Sequence, residues 1–262
     1  KSQDAQLNPE LAARLKTAFN ARFLKAEANH YDNGSQTSCV LPLAFGLVQP
    51  EREAGSFAHL VDKITQESKN HVGTGLIGGQ WLMRTLTDHG RADLGYTLAS
   101  QKTYPSWGYM IEKGATTIWE LWNGDTADPA MNSGNHVMLV GDLIIWFFED
   151  LAGIQSDPED PGFKNIIMRP HPVPGLEWVK ASHRSPQGWI RSEWHQDNSG
   201  FRWDLEVPVN SQATVCVPTS DVANVTEGRK RAERADGVHL LRSEPGYAVY
   251  SVGSGLYRFE SR

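Results

Sequence analysis

Apolar residues along roughly the first 155 positions recur at helical spacing, and along the remainder at every second position. Asn8-Pro9-Glu10 combines a cap, a first-turn proline and an acidic residue, which predicts a helix start. Leu11, Leu15, Ala18, Phe19 and Phe23 follow on one stripe, with the Arg22 stem along it. Further helices are predicted over 36–45, from Pro50 to about Lys69, over 76–88, over 92–100 and over 133–151. The run VMLVGDLIIWFF (137–148) is apolar on all sides and carries Asp142. It is too short to span a bilayer and predicts a fully buried helix. Six helices in series, several nearly apolar all round, predict a layered helical array with an inner ring.

QSDPEDPG (155–162) is acidic, proline-rich and reads as a linker. Beyond it Phe201, Trp203, Leu205 and Val207 alternate with Arg202, Asp204 and Glu206, as a half-buried strand requires. The segment 189–194 pairs with it across a turn at 195–200, and more strands are predicted at 166–169, 176–182, 213–217, 238–242, 247–252 and 256–260. Short strands joined by turns predict an antiparallel β-sandwich. The expected organisation is therefore a helical domain over 1–155 and a β-sandwich over 156–262.

Composition narrows the function. A net charge of −6 and the lack of a basic stripe argue against a nucleic-acid partner. No membrane-spanning segment is read. The two cysteines, Cys39 and Cys216, each sit in an apolar run and are expected to be buried thiols. No metal-ligand spacing of cysteine and histidine occurs, so neither metal nor cofactor is expected. Nine tryptophans are the informative excess. Tryptophan serves where sugar rings stack, and it also serves in cores, which is the reading taken for Trp189, Trp194 and Trp203.

The chemistry concentrates in SWGYMIEKGATTIWELWNGD, residues 106–125. Glu120 lies between Trp119 and Trp122 across Leu121, a carboxylate in an indole wall. Such a wall can stack a sugar while the carboxylate reaches a water, which a glycosidase needs; a helix-surface glutamate beside core tryptophans fits the same letters. Glu112 and Asp125 are the other carboxylates here, the latter with turn chemistry. His136 is expected in the first turn of the buried helix, where it can donate to a substrate hydroxyl or satisfy itself in the core. HVGTGLIGG (71–79) lacks the lysine and preceding strand of a phosphate loop. Its glycines suit close approach of backbone to a ligand or a helix.

HVGTGLIGGQWLMRTLTDHGRADLGYTLASQKTYPSWGYMIEKGATTIWELWNG, then NHVMLVGDLIIWFFEDLAGI and PGFKNIIMRPHPV, closely resemble the C-terminal half of bacterial α-L-rhamnosidases over about residues 31–218. The resemblance implies half of an (α/α)6 barrel followed by a small β-sandwich, and an inverting hydrolase of terminal α-L-rhamnose. By the same resemblance Glu120 would be the general base and His136 a rhamnose ligand, with Trp107, Tyr109 and Trp119 in the sugar-pocket wall. The family's general acid belongs to an upstream acidic motif absent here, so the expected partners are a rhamnose-containing oligosaccharide or glycoside and the missing N-terminal half of the barrel. A half-barrel would expose its inner helices. Two alternatives stand beside this reading: an inverting (α/α)6 glycosidase for another deoxy or uronic sugar, and a non-catalytic carbohydrate-binding homologue. The resemblance favours a periplasmic or extracellular location in a bacterium over a cytoplasmic one.

Overall fold

A computed structural model describes residues 2–136 and 138–262. They form two compact units, over 1–143 and 144–262.

Seven α-helices occur among the described residues, followed by a largely antiparallel β domain. Helix α1 spans Ser2–Phe23 and a two-residue ribbon follows, β1 (Leu24–Lys25) with β2 (His30–Tyr31). The expected start at Asn8 is corrected: the helix begins at Ser2 and Pro9 lies inside it. Leu11 and Leu15, placed on the apolar stripe by spacing, are exposed. What anchors α1 is its last turns. Phe19 stacks on Tyr31, the Tyr31 hydroxyl donates to Asn20 Oδ1 at 2.7 Å, and Asn20 Nδ2 donates to the Leu47 carbonyl at 2.8 Å.

Helix α2 (Gln36–Ala44) is capped by Ser35, whose Oγ accepts from the Ser38 amide. Helix α3 (Pro50–Asp62) opens on its proline and continues as a π-turn to Glu67, and α4 (Leu76–Asp88) and α5 (Ala92–Ala99) lie as the spacing predicts. Gly78 lets α4 approach α2: a Cβ there would strike Thr37 and come within 2.8 Å of Thr74 Cγ2. Helix α6 (Trp107–Glu112) was not anticipated. Ser106 caps it, accepting from the Tyr109 amide at 2.9 Å, and Gly108 is required because a Cβ would collide with the Gln101 carbonyl.

The expected helix over 133–151 is also corrected. Helix α7 begins at Met138 and runs to Trp146, with a π-turn over Phe147–Leu151, while residues 133–136 are irregular; Val137 lies outside the described residues. Over 142–148 the buried-helix reading of 137–148 holds on one side only, and the side chains of 137–141 lie outside the described residues. Leu143 and Trp146 are buried, but Ile144, Ile145, Phe147 and Phe148 are exposed, because the chain packs against only part of an all-apolar surface.

The second unit is two packed sheets. Strands β3 (Ile154–Ser156) and β4 (Asn165–Met168) lead to β5 (Trp178–Ser185), β6 (Gly188–Asp197), β7 (Gly200–Val207) and β8 (Gln212–Pro218). Short strands β9 (Thr226–Glu227) and β10 (Lys230–Arg231) precede β11 (Val238–Glu244), β12 (Tyr247–Val252) and β13 (Gly255–Ser261). One sheet has the order β10-β9-β13-β7-β6-β5 and the other β11-β12-β8-β4-β3, with β4 and β8 parallel. The linker expected at 155–162 therefore starts inside a strand, since Gln155 and Ser156 pair with β4.

Trp194 and Trp203 are fully buried between the sheets. Trp194 Nε1 donates to the Leu151 carbonyl at 2.7 Å, Trp203 Nε1 to Ser192 Oγ at 2.9 Å, and Ser192 Oγ to the Ala152 carbonyl at 2.6 Å. Trp189 is not core: it is 44% exposed. Residues 189 and 194 differ by an odd number, so in one strand they point to opposite faces. Both cysteines are buried thiols, and burial raises the pKa of each.

His171, beside Arg169 and within 3.2 Å of the Tyr247 hydroxyl, is pushed down to about 4, mainly by burial and then by the Arg169 charge. The folded state thus binds fewer protons than the unfolded one between about pH 6.5 and about 4, and stability falls as pH drops through that window. The expected loss is at most about 3 kcal/mol. It should shrink in His171→Gln, measured as the difference in Tm between neutral and acidic buffer; equal pH dependence in both proteins would rule His171 out as its source.

Candidate active site

Glu120 does not sit on a helix. It lies in an irregular segment after α6 that folds back on residues 132–136. The Glu120 amide donates to the Ser133 carbonyl at 2.9 Å and the His136 amide to the Ile118 carbonyl at 2.7 Å. The Leu121 amide donates to Asn132 Oδ1 at 3.0 Å, and Thr117 Oγ1 bonds the Gly134 carbonyl. This clasp fixes the backbone without regular strand. It also orients the carboxylate, because the Ser133 amide donates to Glu120 Oε2 at 3.0 Å. His136 Nδ1 stands 3.9 Å from the same oxygen. The Glu120 side chain is 42% exposed and that of His136 17%.

Both face an open pocket of about 580 Å³. The opposite wall is the glycine-rich loop from Val72 to Leu76, and Tyr104, Leu121 and Trp122 supply apolar surface. The loop is held from behind. Gln36, almost wholly buried at the start of α2, donates from Nε2 to Ser68 Oγ at 2.9 Å and to the His71 carbonyl at 3.1 Å, and its Oε1 accepts from the Gly73 amide at 2.8 Å. A Cβ on Gly73 would sit 2.8 Å from Gln36 Nε2, so glycine permits the clamp. Trp122 Nε1 points to the Thr74 carbonyl at 3.4 Å, joining the two walls.

The other expected residues stand around this pocket rather than in its lining. Trp107 is buried and meets Trp122 edge-on at 5.2 Å, supporting the pocket wall from behind. The Trp119 ring packs against Gly124, where a Cβ would lie 2.6 Å from it, and so braces the turn beyond Glu120. Tyr109 donates its hydroxyl to both Asp125 oxygens at 3.0 Å, with Lys113 beside the ring. Loss of solvation and the Asp125 carboxylate raise the Tyr109 pKa, so this phenol is a held donor rather than a proton source. Glu112 is exposed and 3.8 Å from Lys102. Tyr104, Trp122 and the Val72–Leu76 loop were not singled out as site residues from sequence, although the glycines of the loop and the second indole of WELW were the available signals.

The arrangement offers an oriented, solvent-reached carboxylate, an imidazole able to share a hydroxyl or water with it, and aromatic surface beside both. Residues 1–151 match the bacterial α-L-rhamnosidase six-hairpin glycosidase domain, and residues 153–232 match the bacterial α-L-rhamnosidase C-terminal domain. The chain belongs to the bacterial α-L-rhamnosidases. It is 33% identical to an α-L-rhamnosidase of Streptomyces avermitilis over 98% of its own length, and 31% identical to one of Formosa agariphila over 100%. It superposes on the crystal structure of the Streptomyces avermitilis enzyme complexed with L-rhamnose with a TM-score of 0.88 at 31% identity, covering 98% of this chain and 24% of that one. For the α-L-rhamnosidase from Dictyoglumus thermophilum the TM-score is 0.89 at 36% identity, covering 99% and 29%. The chain thus spans about a quarter of the length of the rhamnosidases it matches: 24% of the Streptomyces relative and 28% of the Formosa one. Among the described residues no cluster of three or more metal-ligating side chains occurs, and no helix is long and apolar enough to cross a membrane.

Proposed function

We propose that this chain carries the general base and part of the sugar pocket of an inverting α-L-rhamnosidase. The observation that carries the reading is the meeting of Glu120 and His136 at one pocket, the carboxylate oriented by the Ser133 amide. Glu120 takes a proton from a water, which attacks the anomeric carbon from the face opposite the leaving oxygen. A carboxylic acid from the part of the enzyme this chain does not span protonates that oxygen, its carboxyl group standing about 6.5–9.5 Å from that of Glu120 across the sugar. His136 bonds a ring hydroxyl, and Leu121 and Trp122 give apolar surface suited to the methyl group of a deoxysugar.

Product stereochemistry tests the reading. Proton NMR of the intact enzyme, containing this chain, acting on an aryl α-L-rhamnoside should show the β-anomer first, with the α-anomer growing later by mutarotation. Early α-anomer would mean retention and a nucleophile in place of a base. A panel of aryl glycosides should show rhamnoside as the best substrate; a better uronide or other deoxyglycoside would reassign the sugar.

A further inference from the structure

The outward face of the six-stranded sheet breaks the rule that its tryptophans are core. Along the edge strand β5, Trp178, Lys180, Ser182 and Arg184 all point outward and all are exposed. Strand β6 places His195, Glu193, Arg191 and Trp189 directly opposite them. Two indoles, 57% and 44% exposed, thus stand on one face at opposite ends of the same strand pair. Trp189 lies six positions from His195, the partner of Trp178, so about 20 Å of strand separates them.

The surroundings of these rings are charged. Lys180 pairs with Glu193 at 2.8 Å and Arg191 with Glu206 at 3.2 Å, so their heads are held in place. A depression of about 330 Å³ runs beside the Trp189 ring, lined by Lys180, Ser182, Arg191 and Glu193. It adjoins a second, larger one that shares Arg191 and Glu193 and continues across β7 and β13. Arg184, directly across from Trp189, has no carboxylate partner among the described residues. The centre of a protein–protein interface is depleted of charge, and this face is not. A sugar fits better: its flat carbon–hydrogen face lies on an indole while its hydroxyls meet fixed donors and acceptors around the rim.

We infer that the outward face of the β5–β6 edge binds an acidic oligosaccharide, with one pyranose ring stacked on Trp189 and a uronate carboxylate on Arg184. Trp178 marks the far end of the track, which is long enough for an oligosaccharide rather than a single sugar. This site is separate from the Glu120 pocket and does not depend on its assignment.

Calorimetric titration of the intact enzyme containing this chain with hexagalacturonate tests it, with cellohexaose as the neutral control. Hexagalacturonate should bind, and cellohexaose should bind at least about tenfold more weakly. Trp189→Ala should lower affinity about tenfold, and Trp189→Tyr should recover part of it. Arg184→Gln should lower affinity up to about fivefold and flatten its salt dependence. Both side chains are exposed, so thermal melts should confirm that the variants remain folded. The proposal is overturned if hexagalacturonate does not bind, if Trp189→Ala binds it unchanged, or if cellohexaose binds equally well. It is also overturned if Glu120→Gln weakens binding as much as Trp189→Ala does, which would put the sugar in the other pocket.

Discussion

Glu120→Gln in the intact enzyme containing this chain should lower kcat by about 10²–10⁴-fold, the range expected when a general base is lost. The amide keeps the size of the carboxylate and can still accept from the Ser133 amide, so the clasp formed by residues 117–121 and 132–136 should survive. What it loses is the capacity to take a proton from water. KM should change little, because an interaction made only in the transition state lowers kcat and kcat/KM together. His136→Ala should behave differently. If the imidazole holds a ring hydroxyl in the ground state as well, KM rises and kcat falls less steeply. A Glu120→Gln enzyme with near-normal kcat would remove the residue from the chemistry; a rise confined to KM would make it a substrate ligand.

The second large effect is on stability. Trp203→Ala should destabilise the β domain by about 3–5 kcal/mol, the usual range for deleting a buried large aromatic. The indole is fully buried against Trp194 and Phe201 neighbours in the core, and its N–H donates to Ser192 Oγ. That hydroxyl keeps its own bond to the Ala152 carbonyl, so the loss is chiefly packing with one hydrogen bond added. Trp189→Ala, in the neighbouring strand but on the outward face, should change stability by less than about 0.5 kcal/mol. Urea unfolding with hydrogen exchange read at the β6 and β7 amides separates the two. Equal losses would mean that the two faces of this sheet are packed alike, against the observed burial.

That contrast also shows how far the sequence could be read. Alternation of Phe201, Trp203, Leu205 and Val207 was enough to place a strand with one buried face, because a period of two fixes the face of every residue once one is known. The same logic, applied to Trp189 against Trp194, would have put Trp189 outside. Helices α2 to α5 were legible from spacing and caps. Helix α6 was not, since WGYMIE contains a glycine whose purpose, passing close to the Gln101 carbonyl, arises only from the tertiary fold. The irregular backbone before α7 was missed for a related reason: the bonds from the Glu120 and His136 amides join segments more than a dozen residues apart, and no local pattern records them. Those bonds make the candidate site. The sequence put Glu120 and His136 forward as separate candidates. The family resemblance gave both a place at one sugar, and the clasp that brings them together, the Gln36-clamped wall and the contribution of Trp122 became visible only in three dimensions.

The exposed apolar surface of α7 follows from the same limit. Hydropathy reports that Ile144, Ile145, Phe147 and Phe148 favour burial, but not which chain segment covers them.

The most direct test of the role given to Glu120 is chemical rescue. In Glu120→Ala, azide can occupy the space of the lost carboxylate and its water and attack the anomeric carbon itself, needing no base. The account predicts that azide restores turnover of an activated aryl α-L-rhamnoside and that the product is β-L-rhamnosyl azide, inverted at the anomeric carbon. No rescue in a folded variant, or an α-configured azide, would contradict it.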